Sequence, residues 1–166
     1  MNEKLLDNLY AVLKTEYEYY QKLNDFASEK KEAIIENDVE KLTEIIEKEK
    51  DIIAEINQLE DKRDNLLAEF NSKVDLDTEQ LNYSQLVENI SQKWETRLGE
   101  LREKLLNIID ELHQKNEENK SLINEAIKLN NFSFKMMTRL LNPDSNTYNP
   151  DDKGEDSSNH IMDRRA

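Results

Sequence analysis

From Met1 to Asn142 the chain contains one glycine, Gly99, and no proline. Both prolines, Pro143 and Pro150, and the other glycine, Gly154, fall in the last two dozen residues. Sheets need tight turns every few residues, and those turns draw on Gly, Pro and Asn-Gly chemistry that is missing here. Long helices need none of it. A composition rich in Leu, Ile, Glu and Lys points the same way, to coiled coil or long helical hairpins. The fold class expected is all-α.

Charge narrows the function. The formal net charge is −14, and no basic stripe is visible that would track a phosphate backbone, so nucleic acid is not an expected partner. Cysteine is absent, which excludes a disulfide framework and thiol chemistry and fits a reducing compartment. The opening MNEKLLDNLY is amphipathic and lacks the apolar core of a signal peptide. No apolar run approaches membrane-spanning length, so stable membrane insertion is not expected and a cytoplasmic location is.

Apolar spacing divides the chain into three helical segments. In the first, residues 2–36, Leu9, Val12, Glu16, Tyr19, Leu23, Phe26, Lys30 and Ala33 follow the alternating three-four spacing of a coiled-coil seam, widened by Leu5, Leu6 and Leu13. Asn37-Asp38 interrupts it, with Asp38 a candidate N-cap for the second segment, residues 39–72. There the seam reads Leu42, Ile45, Glu49, Ile52, Ile56, Leu59, Arg63, Leu66 and Phe70. So short a connection predicts an antiparallel hairpin, each arm about 50 Å long.

A second connection, Val74 to Ser84, loses the periodicity and offers Asp77 or Thr78 as a cap. The third segment then runs to about Leu141 along Leu86, Ile90, Trp94, Leu98, Leu101, Leu105, Ile108 and Leu112. Its seam turns polar across Lys115–Lys120 and resumes through Leu122, Ala126, Leu129, Ser133, Met136 and Leu140. If continuous, this helix is about 85 Å long and overshoots the hairpin by roughly 30 Å. If it breaks near Asn116–Asn119, its last part becomes a fourth helix folded back on the bundle.

The overshooting portion contains NNFSFKMMTRLLN, Asn130 to Asn142, the richest apolar stretch of the chain. On a helix, Phe132 and Phe134 lie about 160° apart, and the apolar arc from Leu122 to Leu141 covers roughly 220°. Packing on one neighbour needs a stripe only a little wider than about 100°. The excess predicts contact with something else. The remaining residues, 142–166, are acidic and rich in Asn, Asp, Ser and Pro, and are expected to be a disordered tail containing one aromatic, Tyr148. The division expected is a helical domain over residues 1–141 and a tail over 142–166.

Reaction chemistry is sparse. His113 and His160 are the only histidines, and Asp110-x-x-His113 is a single imperfect copy of a motif that helical di-metal sites need twice. No phosphate loop or zinc motif occurs. The carboxylates belong to solvated helix faces, Tyr17, Tyr19 and Tyr20 read as core-edge packing, and Trp94 reads as a seam residue. Neither an enzyme nor a cofactor is expected.

Four stretches taken together resemble a known family. They are EKKEAIIENDVEKLTEIIEKEKDII (Glu29–Ile53), INQLEDKRDNLL (Ile56–Leu67), a lone tryptophan in QKWETRL, and NEENKSLINEAIKLNNFSFKMMTRL followed by TYNPDDKG (Thr147–Gly154). The chain is similar to the FlgN family of flagellar type III export chaperones. The resemblance implies a cytoplasmic helical chaperone that binds the C-terminal region of the hook-filament junction (hook-associated) proteins. Such a chaperone prevents their premature assembly or aggregation and delivers them to the export gate.

Client binding is attributed in the family to the C-terminal helical part, and periodicity within that part selects Leu129, Phe132, Phe134, Met136, Met137, Leu140 and Leu141. The tail tyrosine, here Tyr148, is implied to dock on the cytoplasmic domain of the export-gate platform protein. Asn149-Pro150 follows it where the family commonly has glycine. A competing reading makes the chain a structural coiled-coil protein whose C-terminal helix is a permanent oligomer interface, as in a homodimer.

Overall fold

The computed structural model describes residues 3–74 and 82–141. Four helices occur among them, α1 (Glu3–Glu36), α2 (Val39–Val74), α3 (Tyr83–Glu88) and α4 (Gln92–Leu141). By contacts the chain divides into two units, Met1–Ala126 and Ile127–Ala166, and α1 to α3 with the larger part of α4 make up the first.

The turn between α1 and α2 forms without glycine. Asn37 takes the left-handed conformation at φ 57°, which Asn tolerates better than most residues. Its N–H donates to the Ile34 carbonyl at 3.2 Å, and the Asp38 N–H donates to Ala33 at 2.9 Å. This is the paired bonding of a Schellman stop. Asp38 then caps α2 as its sequence position suggests, its side chain accepting from the Lys41 N–H at 2.9 Å.

Charged residues in the seams fix the register of the hairpin. Arg63 Nη1 donates to both carboxylate oxygens of Glu16, at 3.2 and 3.0 Å. Lys30 pairs with Glu49 at 2.7 Å. The later residue on α1 meets the earlier one on α2, so the helices are antiparallel. The order of signs along α1, acid then base, is complementary to that on α2 in this direction and register.

A second set of bonds lays α4 parallel to α1. Asn24 Nδ2 donates to Glu111 at 3.0 Å, Lys115 Nζ to Ser28 Oγ at 3.0 Å, and Lys31 Nζ to Glu118 at 2.9 Å. The polar stretch Lys115–Lys120 is therefore a contact region. Within it Asn119 is buried and donates to the Ala27 carbonyl at 2.7 Å, while Lys30 reaches Asn116 at 3.5 Å. Helix α4 passes through Asn116–Asn119 unbroken.

The third segment, read from the sequence as either continuous or broken near Asn116–Asn119, is interrupted instead nearer its start. Asn89 ends α3 with its N–H donating to the Leu86 carbonyl and the Ile90 N–H donating to Val87, while the Asn89 side chain donates to the Gln85 carbonyl at 2.8 Å. Ser91 supplies the carbonyl that receives the Trp94 and Glu95 N–H groups as α4 begins. Asn and Ser compete with helix bonding through their own side chains, so neither Gly nor Pro is needed for the stop. The capping box at the start of α3 is Asn82 with Gln85, its two bonds 2.9 and 3.0 Å long. Asp77 and Thr78, the caps read from the sequence, lie outside the described residues.

The break lets α3 close the core. Leu5, Leu6, Leu9, Phe70, Leu86, Trp94 and Leu98 form one buried cluster contributed by all four helices. Each such side chain contributes roughly 1.5–3 kcal/mol. Trp94 meets the Tyr10 ring edge-on at 6.4 Å, and the Arg97 guanidinium lies 4.4 Å from both ring centroids. Gly99 has a local reason to be glycine: a Cβ there would stand 3.1 Å from Tyr83 Oη.

Candidate functional site

Burial on α4 has a heptad rhythm and a definite end. Trp94, Leu98, Leu101, Leu105 and Asn119 are buried, and Ile108, Leu112, Lys115, Leu122 and Ala126 are half-buried. From Ile127 to Leu141 every residue is exposed. The seam positions continue in register through Leu129, Ser133, Met136 and Leu140, but nothing within the described chain covers them.

The seven side chains selected from periodicity are all solvent-facing, at 44 to 78% of their full exposure. They do not share one stripe. Leu129, Met136, Met137 and Leu140 cluster within about 100° of the helix circumference, with Phe132 flanking one side and Phe134 and Leu141 the other. Ile127, more than half exposed, belongs with Phe134 and Leu141. These three recur every seventh residue, a spacing that was present in the sequence and not used. Tyr148 lies outside the described residues.

A second unused signal is charge. No Asp or Glu occurs between Glu125 and Asp144, a gap unmatched elsewhere in a chain with 37 acidic residues. Lys128, Lys135 and Arg139 are the ionisable side chains of the described part of that gap, and all are exposed. They fall within about 40° of one another on the circumference, in the arc that the apolar residues leave free.

Titratable groups in the first unit serve packing. Burial raises the Glu16 carboxyl above its ordinary range; the charge and hydrogen bond of Arg63 oppose this, and Glu60 and Asp64 reinforce it. Tyr20 is raised for the same leading reason, with the charges of Glu60 and Glu16 adding to it. The hydrogen bond from Asn24, followed by Lys115, holds Glu111 below the usual carboxylate range. His113 is exposed. A 270 Å³ pocket at the base of the bundle is lined by Leu9, Leu13, Leu67, Leu86, Leu98 and Leu105 with Arg63, Arg102, Asn82 and Tyr83. It holds no nucleophile–base pair.

The family model described as FlgN protein matches residues 1–155. No curated protein and no solved structure gives a match.

Proposed function

The chain belongs to the FlgN family, whose members are flagellar export chaperones, and we propose that it holds the C-terminal region of hook-filament junction proteins on residues 127–141 of α4. The observation that carries this reading is the exposure of Leu129, Phe132, Phe134, Met136, Met137, Leu140 and Leu141 on one well-formed helix. A junction-protein terminus that will form a coiled coil on assembly carries an unburied apolar stripe beforehand. A wide apolar face with two flexible methionines can clasp such a stripe, helix against helix, and adapt to more than one client. Covering the stripe prevents premature assembly and aggregation in the cytoplasm until delivery to the export gate. Docking of Tyr148 on the cytoplasmic domain of the gate's platform protein completes the proposal and rests on the family motif.

Titration with a synthetic C-terminal helix of a junction protein tests it. Phe132 is 62% exposed, which leaves roughly 120 Å² of an aromatic side chain to be covered. At about 25 cal/mol per Å² this is worth some 3 kcal/mol, so Phe132→Ala should weaken one-to-one binding by about a hundredfold. The same substitution should leave the unfolding midpoint unchanged. A tight dimer that ignores the peptide would instead identify α4 as a permanent oligomer interface and overturn the chaperone reading. Tyr148→Ala should spare peptide binding and weaken gate docking.

A further inference from the structure

We propose that residues 127–141 also adsorb, as an amphipathic helix lying in the headgroup region, to anionic lipid bilayers. The apolar arc of this segment, interrupted only by Asn130 and Ser133, covers roughly 220° and holds Phe132, Phe134, Leu140 and Leu141. Its polar remainder carries Lys128, Lys135 and Arg139 in one line, and none of the ion pairs among the described residues involves them. A broad apolar face with bulky side chains and a basic polar face is the pattern of interfacial helices. Lysine and arginine stems can run along the apolar boundary while their charges stay among the headgroups.

Charge placement leaves two basic residues that a helical client would not use. In the heptad that continues from Ala126 and Leu129, Lys128 and Lys135 stand away from the positions that flank a helix–helix seam. They are therefore poorly placed to form pairs across such a seam. On a planar surface the same residues lie on the headgroup side of the buried arc. The chain's net charge of −14 does not forbid this, because screening limits each charge to about 10 Å at ordinary ionic strength. Locally the segment is purely basic. No described helix is long and apolar enough to cross a membrane, and the proposed mode is adsorption. Bilayer and client would cover the same apolar face, so each should displace the other.

The 166-residue chain is floated with vesicles of phosphatidylcholine alone and with vesicles containing phosphatidylglycerol. Binding is expected only to the anionic vesicles, and should fall as ionic strength is raised to about 0.5 M. Each basic residue near an anionic surface strengthens partition about fivefold, so Lys128→Gln, Lys135→Gln and Arg139→Gln together should weaken it by about a hundredfold. Equal binding to both vesicle types, or a triple variant that floats like the parent, overturns the proposal. Client-peptide affinity, measured without vesicles, separates the two readings. If the triple variant loses peptide binding while the parent shows only background flotation, the basic strip reads an acidic protein and the lipid assignment fails.

Discussion

Replacing Arg63 by leucine isolates the most heavily desolvated charge in the bundle. Glu16 is 2% exposed and its partner's side chain 31%. At 3.0 Å the attraction is about 5 kcal/mol for an effective dielectric near 20, most of it offset by removing both groups from water. Breaking a buried pair on one side costs about 3–5 kcal/mol. The solvent reaching Arg63 places the expected loss near the low end, about 3 kcal/mol at pH 7.

Acid should shrink that loss. The folded-state pKa of Glu16 lies above its unfolded value, so in the window between them the folded protein binds more protons and stability falls as pH rises. Removing Arg63 takes away the influence that opposes burial and extends the window upward. Within it the deficit should fall by at most about 1.4 kcal/mol for each unit of acidification. Urea denaturation followed by helical circular dichroism at pH 7 and pH 5 measures this directly. Glu16→Leu with Arg63→Leu should return stability to within about 1 kcal/mol of the parent, because an apolar pair carries no desolvation cost. A deficit equal at both pH values, or a double variant no better than Arg63→Leu alone, would refute the reasoning.

The remaining predictions concern backbone conformation and close approach. Asn37→Gly should match or exceed the parent in thermal stability, whereas Asn37→Val should lose about 1–2 kcal/mol or more, because φ of 57° is open to glycine and strained for a β-branched residue. Gly99→Ala sets a helix-propensity gain of about 1 kcal/mol against the 3.1 Å approach to Tyr83 Oη. Its benefit should be larger in a Tyr83→Phe background, and equal gains in both backgrounds would show that the hydroxyl does not restrict the site.

Elements whose cause is local were legible in the sequence. The lack of turn residues requires helices, and the ends of α1 and the start of α2 follow from Asn37 and Asp38. What was not legible depends on residues distant in sequence. Glu16, Lys30, Glu49 and Arg63 occupy seam positions in the sequence pattern, yet nothing local says that Glu16 meets Arg63 and Lys30 meets Glu49. Only the register of two helices decides it. The Lys115–Lys120 stretch reads as a weakness along one helix and becomes a set of bonds once Ala27, Ser28 and Lys31 of α1 stand opposite. The stop at Asn89–Ser91 is hidden for another reason. It combines side-chain competition for backbone bonds with the docking of Leu86 and Trp94 into one core, and periodicity senses neither.

On α4 the pattern and its burial part company, and this bears most directly on function. The three-four spacing runs without a phase change from Trp94 through Asn119, Ala126 and Leu129 to Leu140, while burial ends at Ala126. A segment with no partner to satisfy would have no reason to keep the period of a packed seam. It would also expose eight large apolar side chains between Ile127 and Leu141 at a cost in solubility. Beyond Ala126, three of the four seam positions (Leu129, Met136 and Leu140) stay apolar, which accords with the helical client proposed above. The second line, Ile127, Phe134 and Leu141, goes beyond what one helix can cover. That surplus suits the broader surface proposed above, and the basic, acid-free composition of the segment suits one that carries negative charge.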